Sequence, residues 1–207
     1  MKLIGIVGTN SDQSTNRRLL QYIQQHFHNK ADIEICEIKD LPAFNEPEDK
    51  AIPKEVQILS DKIKEADGVI ISTPEYDHSI PAALKSAIEW LSYTTRPLID
   101  KPVMIVGASY GALGSSRAQA QLRQILDAPE LKARIMPSAE FLLGRSLGAF
   151  DEDGQLIYPE KVVELEENFA EFLEFVAIIN QLLKGQQAST EKKKQFSWEA
   201  LNGGQEA

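Results

Sequence analysis

The chain has 207 residues, 43% of them hydrophobic and 26% charged, and a formal net charge of −9. That length suits one soluble domain with a sizeable core. The acidity excludes a general binder of nucleic-acid backbones, which relies on dense Lys/Arg, and a lone cysteine, Cys36, excludes an intrachain disulfide or a cysteine-rich metal site.

Residues 2–7 form an apolar run that reads as a first strand and opens onto a polar loop, residues 8–16. Leu19, Leu20, Ile23 and Phe27 recur at helical spacing and predict a helix over residues 15–27. Residues 33–38 alternate as a second strand, with Cys36 as a buried structural thiol. After a proline-containing stretch, Val56, Leu59, Ile63 and Ala66 mark a helix over residues 54–66. Residues 68–72 are a third, fully buried strand that stops at Thr73-Pro74. A polar loop, Glu75-Tyr76-Asp77-His78-Ser79, leads to a helix beginning after Pro81, with Leu84, Ala87, Ile88 and Leu91 on its inner stripe.

A fourth strand over residues 103–107 feeds a glycine-containing loop and a helix over residues 114–126. A fifth strand is expected over residues 134–142, and a last helix over residues 159–183 with Leu165, Phe169, Phe172, Val176, Ile179 and Leu183 on one face. The acidic stretch Asp151-Glu152-Asp153-Gly154 reads as a hairpin-like turn, because it lacks the ligand spacing of a calcium loop.

Strands alternating with helices call for a parallel sheet covered on both faces. The expected architecture is a flavodoxin-like, doubly wound, five-stranded sheet of order 2-1-3-4-5. Residues 1–184 form its one domain. Residues 185–207 are a polar tail whose Phe196, Trp198 and Leu201 leave two readings open, a loose extension or a segment that docks on a partner subunit. The chain starts directly on a strand, with no leader-like charged and apolar regions, and no apolar run approaches the ~20 residues of a membrane span. A cytoplasmic protein without membrane or nucleic-acid partners is expected.

Right-handed crossovers bring the loops after strands one, three and four to one edge, where ligands of such sheets bind. In the first loop, Thr9, Asn10, Ser11, Ser14, Thr15 and Asn16 supply hydroxyls and amides at a helix N-terminus. They read either as an anion cradle or as an N-cap loop with Ser14 or Thr15 as the cap. The loop has neither the G-K-[ST] of a Walker motif nor a dinucleotide glycine spacing. In the second, Tyr76 offers a flat face and Ser79 a hydroxyl; in the third, Ser109, Tyr110, Gly111 and Gly114 bring backbone close to a ligand. The set suits a planar, hydrogen-bonding ligand.

Together these segments resemble the NADPH-dependent FMN reductase family, which includes azo, quinone and chromate reductases. That family carries approximately G-S-x-R-x-x-S-x-N after strand one and P-E-Y-N-x-S-x-P-G-x-L-K-N-A-I-D-W after strand three. The second motif stands here as Pro74-Glu75-Tyr76-Asp77-His78-Ser79-Ile80-Pro81-Ala82-Ala83-Leu84-Lys85-Ser86-Ala87-Ile88-Glu89-Trp90. The resemblance spans about residues 1–183 and implies a non-covalent FMN with NAD(P)H as co-substrate. The phosphate would lie on Thr9, Ser11, Ser14 and Asn16, with Asn10 and Thr15 in the same loop. Pro74, Glu75, Tyr76 and Asp77, with Ser79, would hold one edge of the flavin ring, and Ser109, Tyr110, Gly111 and Gly114 its far side. No protein catalytic residue is expected, since the chemistry is flavin-borne.

The implied acceptor is a small molecule: a quinone, an azo compound, free flavin or a metal oxyanion. The resemblance also implies a homodimer or homotetramer packed through the helices after strands three and four, presenting Trp90, Leu91 and Tyr93. The chain departs from the pattern at Ser11, where the family often has arginine, and at Asp77, which replaces asparagine and brings a negative charge toward the ring. Glu75 reads as a loop-shaping residue, His78 as exposed, Arg117 as a solvated helical arginine, and Trp90 as a packing residue either of the core or of a subunit interface. Two other readings remain: a flavodoxin-like electron carrier, and a flavin-binding interaction protein without significant turnover. An α/β-hydrolase is excluded by the lack of a G-x-S-x-G elbow.

Overall fold

The computed structural model describes residues 1–185. Strands β1 (Lys2–Val7), β2 (Asp32–Glu37), β3 (Gly68–Ser72), β4 (Pro102–Ala108), β5 (Arg134–Ile135) and β6 (Phe141–Leu143) alternate with five helices. These are α1 (Thr15–His26), α2 (Lys54–Glu65), α3 (Ala82–Trp90), α4 (Ser116–Leu126) and α5 (Pro159–Gly185). The sheet is parallel in order β2-β1-β3-β4-β5, with β6 also paired to β4. The expected flavodoxin-like winding is present.

Alternation along each strand sends successive side chains to opposite faces. Leu3 and Val7 of β1 therefore join α1 and α5 in one core, while Ile4 and Ile6 join α2, α3 and α4 in the other. The first core is locked by Phe27 and Phe169, whose rings stack with centroids 3.9 Å apart and planes 8° from parallel. Every residue of β3 and β4 is buried, which explains their unbroken apolar runs. Cys36 is buried, and the acidic turn is a hairpin-like reversal closed by an antiparallel bridge between Phe150 and Leu156.

Three features depart from the expectation. The fifth strand is two short strands: β5 pairs with the start of β4 and β6 with its end. Pro137 lacks the amide needed to continue the ladder, and Ser138 is left-handed at φ 59°. Arg123 of α4 takes up the freed carbonyls of Met136, at 2.9 Å, and Ala139. Burial there holds its guanidinium below its ordinary pKa.

Helix α3 passes into one wide turn with π-type bonding, Leu91–Thr95, before Arg96 reverses the chain at φ 48°. Trp90 and Leu91 lie inside the chain's own core, 3% and 2% exposed: Leu91 keeps the inner stripe expected of it, Trp90 packs in the core, and neither presents an outer surface to a second subunit. The segment around Phe44 folds over them. The Trp90 indole N–H donates to the Pro42 carbonyl at 2.8 Å, and the Phe44 ring meets Trp90 edge-on at 5.1 Å. Tyr93 is half-buried beneath the same segment.

The docking expectation for the tail falls on residues 186–207, outside the described residues. Among the described residues, no helix is long and apolar enough to cross a membrane.

Candidate functional site

The carboxyl ends of β1, β3 and β4 converge closely. A Cβ at Gly8 would sit 2.6 Å from the Ser72 carbonyl oxygen, so only glycine lets β1 leave the sheet here. Asn16 then ties the three ends together. Its Nδ2 donates to the Ala108 carbonyl at 2.8 Å, and its Oδ1 accepts from the Ala108 amide and the Ser72 hydroxyl, both at 2.9 Å. Three of the four bonds the Asn16 side chain can make hold the sheet together, and its backbone amide lies at the head of α1.

Ser14 caps α1, its hydroxyl accepting from the Arg17 amide at 3.2 Å. That bond occupies a lone pair and leaves the Ser14 O–H proton to donate elsewhere. Thr15 and Asn16 head the helix, where amides precede the first intrahelical bond and the macrodipole is positive. The Thr15 hydroxyl pairs with Ser146 at 2.8 Å, anchoring α1 to the segment after β6. Thr9 is buried, and its hydroxyl accepts from the Ser11 amide at 3.2 Å and lies 3.1 Å from the Tyr76 hydroxyl, linking the first two loops. Ser11 turns its hydroxyl onto the Gln13 carbonyl at 3.1 Å. Arg17 grips the same loop from the helix, and the Glu37 carboxylate beside it raises its pKa.

The second loop is shaped from α4. The Glu75 carboxylate is 8% exposed and accepts from the Arg117 amide and guanidinium. Glu75 is thus a loop-shaping residue, as expected, and Arg117, half exposed on α4 as expected of a solvated helical arginine, is its ion-pair partner. Tyr76 and Ser79 exchange backbone bonds of 3.0 and 2.9 Å across Asp77 and His78, both left-handed at φ 48° and 64°. This is a type I′ geometry. Asp and His tolerate it better than most residues.

The third loop is pinned to β6 and its sequel: the Ser109 amide donates to Leu143 at 3.0 Å and the Arg145 amide to Gly111 at 2.9 Å. Gly114, at φ 58°, packs so closely on Leu142 that a Cβ would lie 2.6 Å from its carbonyl carbon. The glycine serves loop-on-strand packing.

These loops enclose a cleft of about 160 Å3. Of the residues expected there, Ser14, Thr15, Asn16, Pro74, Glu75, Tyr76, Ser109 and Tyr110 line it, joined by Gln13 and Ala108. Thr9 and Ser11 support it, and Asn10 lies exposed on the same loop. Asp77 and Ser79 instead line a neighbouring groove with Ala82, Lys85 and Gln121, on the other side of Tyr76. There the Ser79 hydroxyl donates to Gln121 Oε1 at 2.5 Å. Gly111 has open space beside it. Among the described residues, no lysine or arginine lines the cleft, and the Glu75 carboxylate there is paired with Arg117. Attraction for an anion therefore comes from main-chain dipoles, with planar surface supplied by Tyr76 and Tyr110. Sequence reasoning passed over Arg17 and Gln121, whose only signal is their place in the first two turns of helices that follow these loops.

A doubly wound parallel sheet with three loops meeting over the first helix N-terminus defines a flavodoxin-like α/β protein. Residues 1–148 match the family model described as NADPH-dependent FMN reductase, and the chain belongs to that family of NAD(P)H-dependent oxidoreductases. It is 60% identical to the NADH:(hydroxy)cinnamate reductase subunit CrdA of Vibrio ruber, over 96% of this chain and 98% of that one. It is 44% identical to the NADH-dependent flavin reductase subunit 2 of Lactobacillus johnsonii, over 85% and 97% of the two chains. Among solved structures it is similar to FerB, a flavoenzyme NAD(P)H:(acceptor) oxidoreductase of Paracoccus denitrificans, with a TM-score of 0.73 and 27% identity over 87% of this chain and 97% of that one.

Proposed function

We propose that this protein binds FMN in the three-loop cleft and oxidises NAD(P)H there. The observation that carries the reading is the α1 N-terminus opening into a cleft free of side-chain cations and floored by strand ends. A helix N-terminus favours an anion without help from lysine or arginine. The amides at the head of α1 and the Ser14 hydroxyl receive the phosphate. The backbone of Pro74, Glu75 and Tyr76 faces one edge of the flavin, and Ser109 and Tyr110 face the other. FMN, when bound, takes two electrons from NAD(P)H and passes them to an acceptor. The protein's work is to hold and orient.

Two destinations for the electrons follow. A quinone or free flavin is a planar acceptor of the kind that fits beside Tyr76 and Tyr110. The Vibrio and Lactobacillus relatives are each named as a subunit, which supports delivery to a second polypeptide. Tyr110, Leu113 and Leu147, each more than half exposed, give loop 3 and its neighbouring turn an apolar surface for such docking. Self-association would use the groove between α3 and α4, where Phe44, Ile88, Tyr93, Ile125 and Leu131 are aligned. A lone, buried thiol fits a cytoplasmic setting.

The test is direct. Purified protein is expected to be yellow or to take up FMN, and NAD(P)H should bleach the flavin's visible absorption. Steady NADH oxidation with a quinone or free FMN supports the small-acceptor reading. Bleaching without turnover supports the partner reading, and failure to take up FMN removes both. Light scattering separates monomer from dimer or tetramer.

A further inference from the structure

Arg17 stands in the first turn of α1, yet its guanidinium serves the loop behind it. Nη1 donates to the carbonyls of Ser11 and Asp12, both at 2.9 Å. Nε and Nη2 fork onto Glu37, at 2.5 and 2.8 Å. Glu37 ends β2, so one side chain joins a helix, a strand end and the loop between β1 and α1. Its side chain is only 18% exposed.

In a trans peptide the carbonyl and the following amide point to opposite sides. Drawing the carbonyls of residues 11 and 12 onto the guanidinium therefore turns the amides of Asp12 and Gln13 the other way, and Gln13 lines the cleft. Consecutive amides arranged like this form an anion-binding concavity. The guanidinium charge is itself balanced by Glu37, so what Arg17 delivers is shape rather than field. Serine at position 11 leaves the loop without an arginine of its own, and Arg17 reaches that place from the helix.

We infer that Arg17 is the positioning residue of the phosphate cradle, fixing the loop so that its amides, not a cation, discriminate FMN from riboflavin. This rests on the functional reading above. A residue with a merely structural role would affect both flavins alike, because they share the ring and ribityl chain and differ only in the phosphate.

The test titrates FMN and riboflavin by flavin fluorescence into wild-type protein and the Arg17→Gln, Arg17→Lys and Glu37→Gln variants. Wild type is expected to prefer FMN. Arg17→Gln should lose about tenfold in FMN affinity, and riboflavin affinity should change by less than about twofold. Arg17→Lys should behave like Arg17→Gln, since an ammonium cannot fork between Glu37 and two carbonyls. Glu37→Gln unbalances the guanidinium charge, and FMN binding should become more salt-dependent. Equal losses for both flavins, unchanged FMN preference in Arg17→Gln, or full rescue by lysine would each overturn the inference while leaving the cofactor reading intact. Wild type that binds neither flavin overturns both.

Discussion

Glu75 and Arg117 join the second loop to the head of α4. The carboxylate accepts the Arg117 amide at 3.1 Å and its guanidinium at 2.6 Å, so one side chain serves as helix cap and ion-pair partner. Removing the carboxylate strands helix amides as well as a charge, whereas removing the half-exposed guanidinium loses only the pair. Glu75→Ala should cost about 2 kcal/mol in urea unfolding and Arg117→Ala less than about 1 kcal/mol. Equal costs would show that the cap carries no weight.

Asn16 makes three buried hydrogen bonds to Ala108 and Ser72, and no apolar residue replaces them. Asn16→Ala should destabilise by roughly 3 kcal/mol, since it leaves both main-chain groups of Ala108 without their partner. Asn16→Asp should be no better, because it loses the donor and sets a charge against the Ala108 carbonyl. A loss below about 1 kcal/mol in either variant would mean that water takes the amide's place.

The Tyr76–Ser79 turn holds two non-glycine residues in the left-handed region. Glycine removes a strain of about 1–2 kcal/mol there but adds about 0.5–1 kcal/mol of chain entropy to the unfolded state. His78→Gly should therefore stabilise the protein by roughly 0.5–1 kcal/mol, and β-branched His78→Val should destabilise it. Thermal melts of the three proteins check the order.

Burial raises the Cys36 thiol above its ordinary value of 9.0, with nearby Lys62 opposing the shift. The unfolded thiol ionises first, so the native state binds more protons and loses stability as pH climbs past about 9. Between about pH 8 and pH 10 the wild type should lose stability more steeply than Cys36→Ala. Urea midpoints across that range read the difference. In the native protein the thiol should also resist alkylation near pH 8.

Strong periodicity made much of this fold legible. The bounds of β1 and β3 coincide with their apolar runs, and the buried stripe of α1 is the predicted one. The split of the fifth strand was hidden because Phe141, Leu142 and Leu143 prolong an apolar pattern that Pro137 interrupts only once. Whether Trp90 packs in the core or at a subunit interface stayed open in the sequence, since it depends on a covering segment 48 residues away. At the site, the sequence named the right loops but not each side chain's task. Ser11 and Ser79 satisfy their hydroxyls within the protein, and Glu75 meets an arginine 42 residues on. Such pairings come from tertiary proximity and leave no local trace.

The interruption at Pro137 also bears on how this molecule meets its neighbours. Beyond β4 the outermost rim is two stubs separated by a kink, so it offers no long row of free peptide groups onto which a foreign chain can zip. Fibril-like growth from that side is blocked by geometry alone.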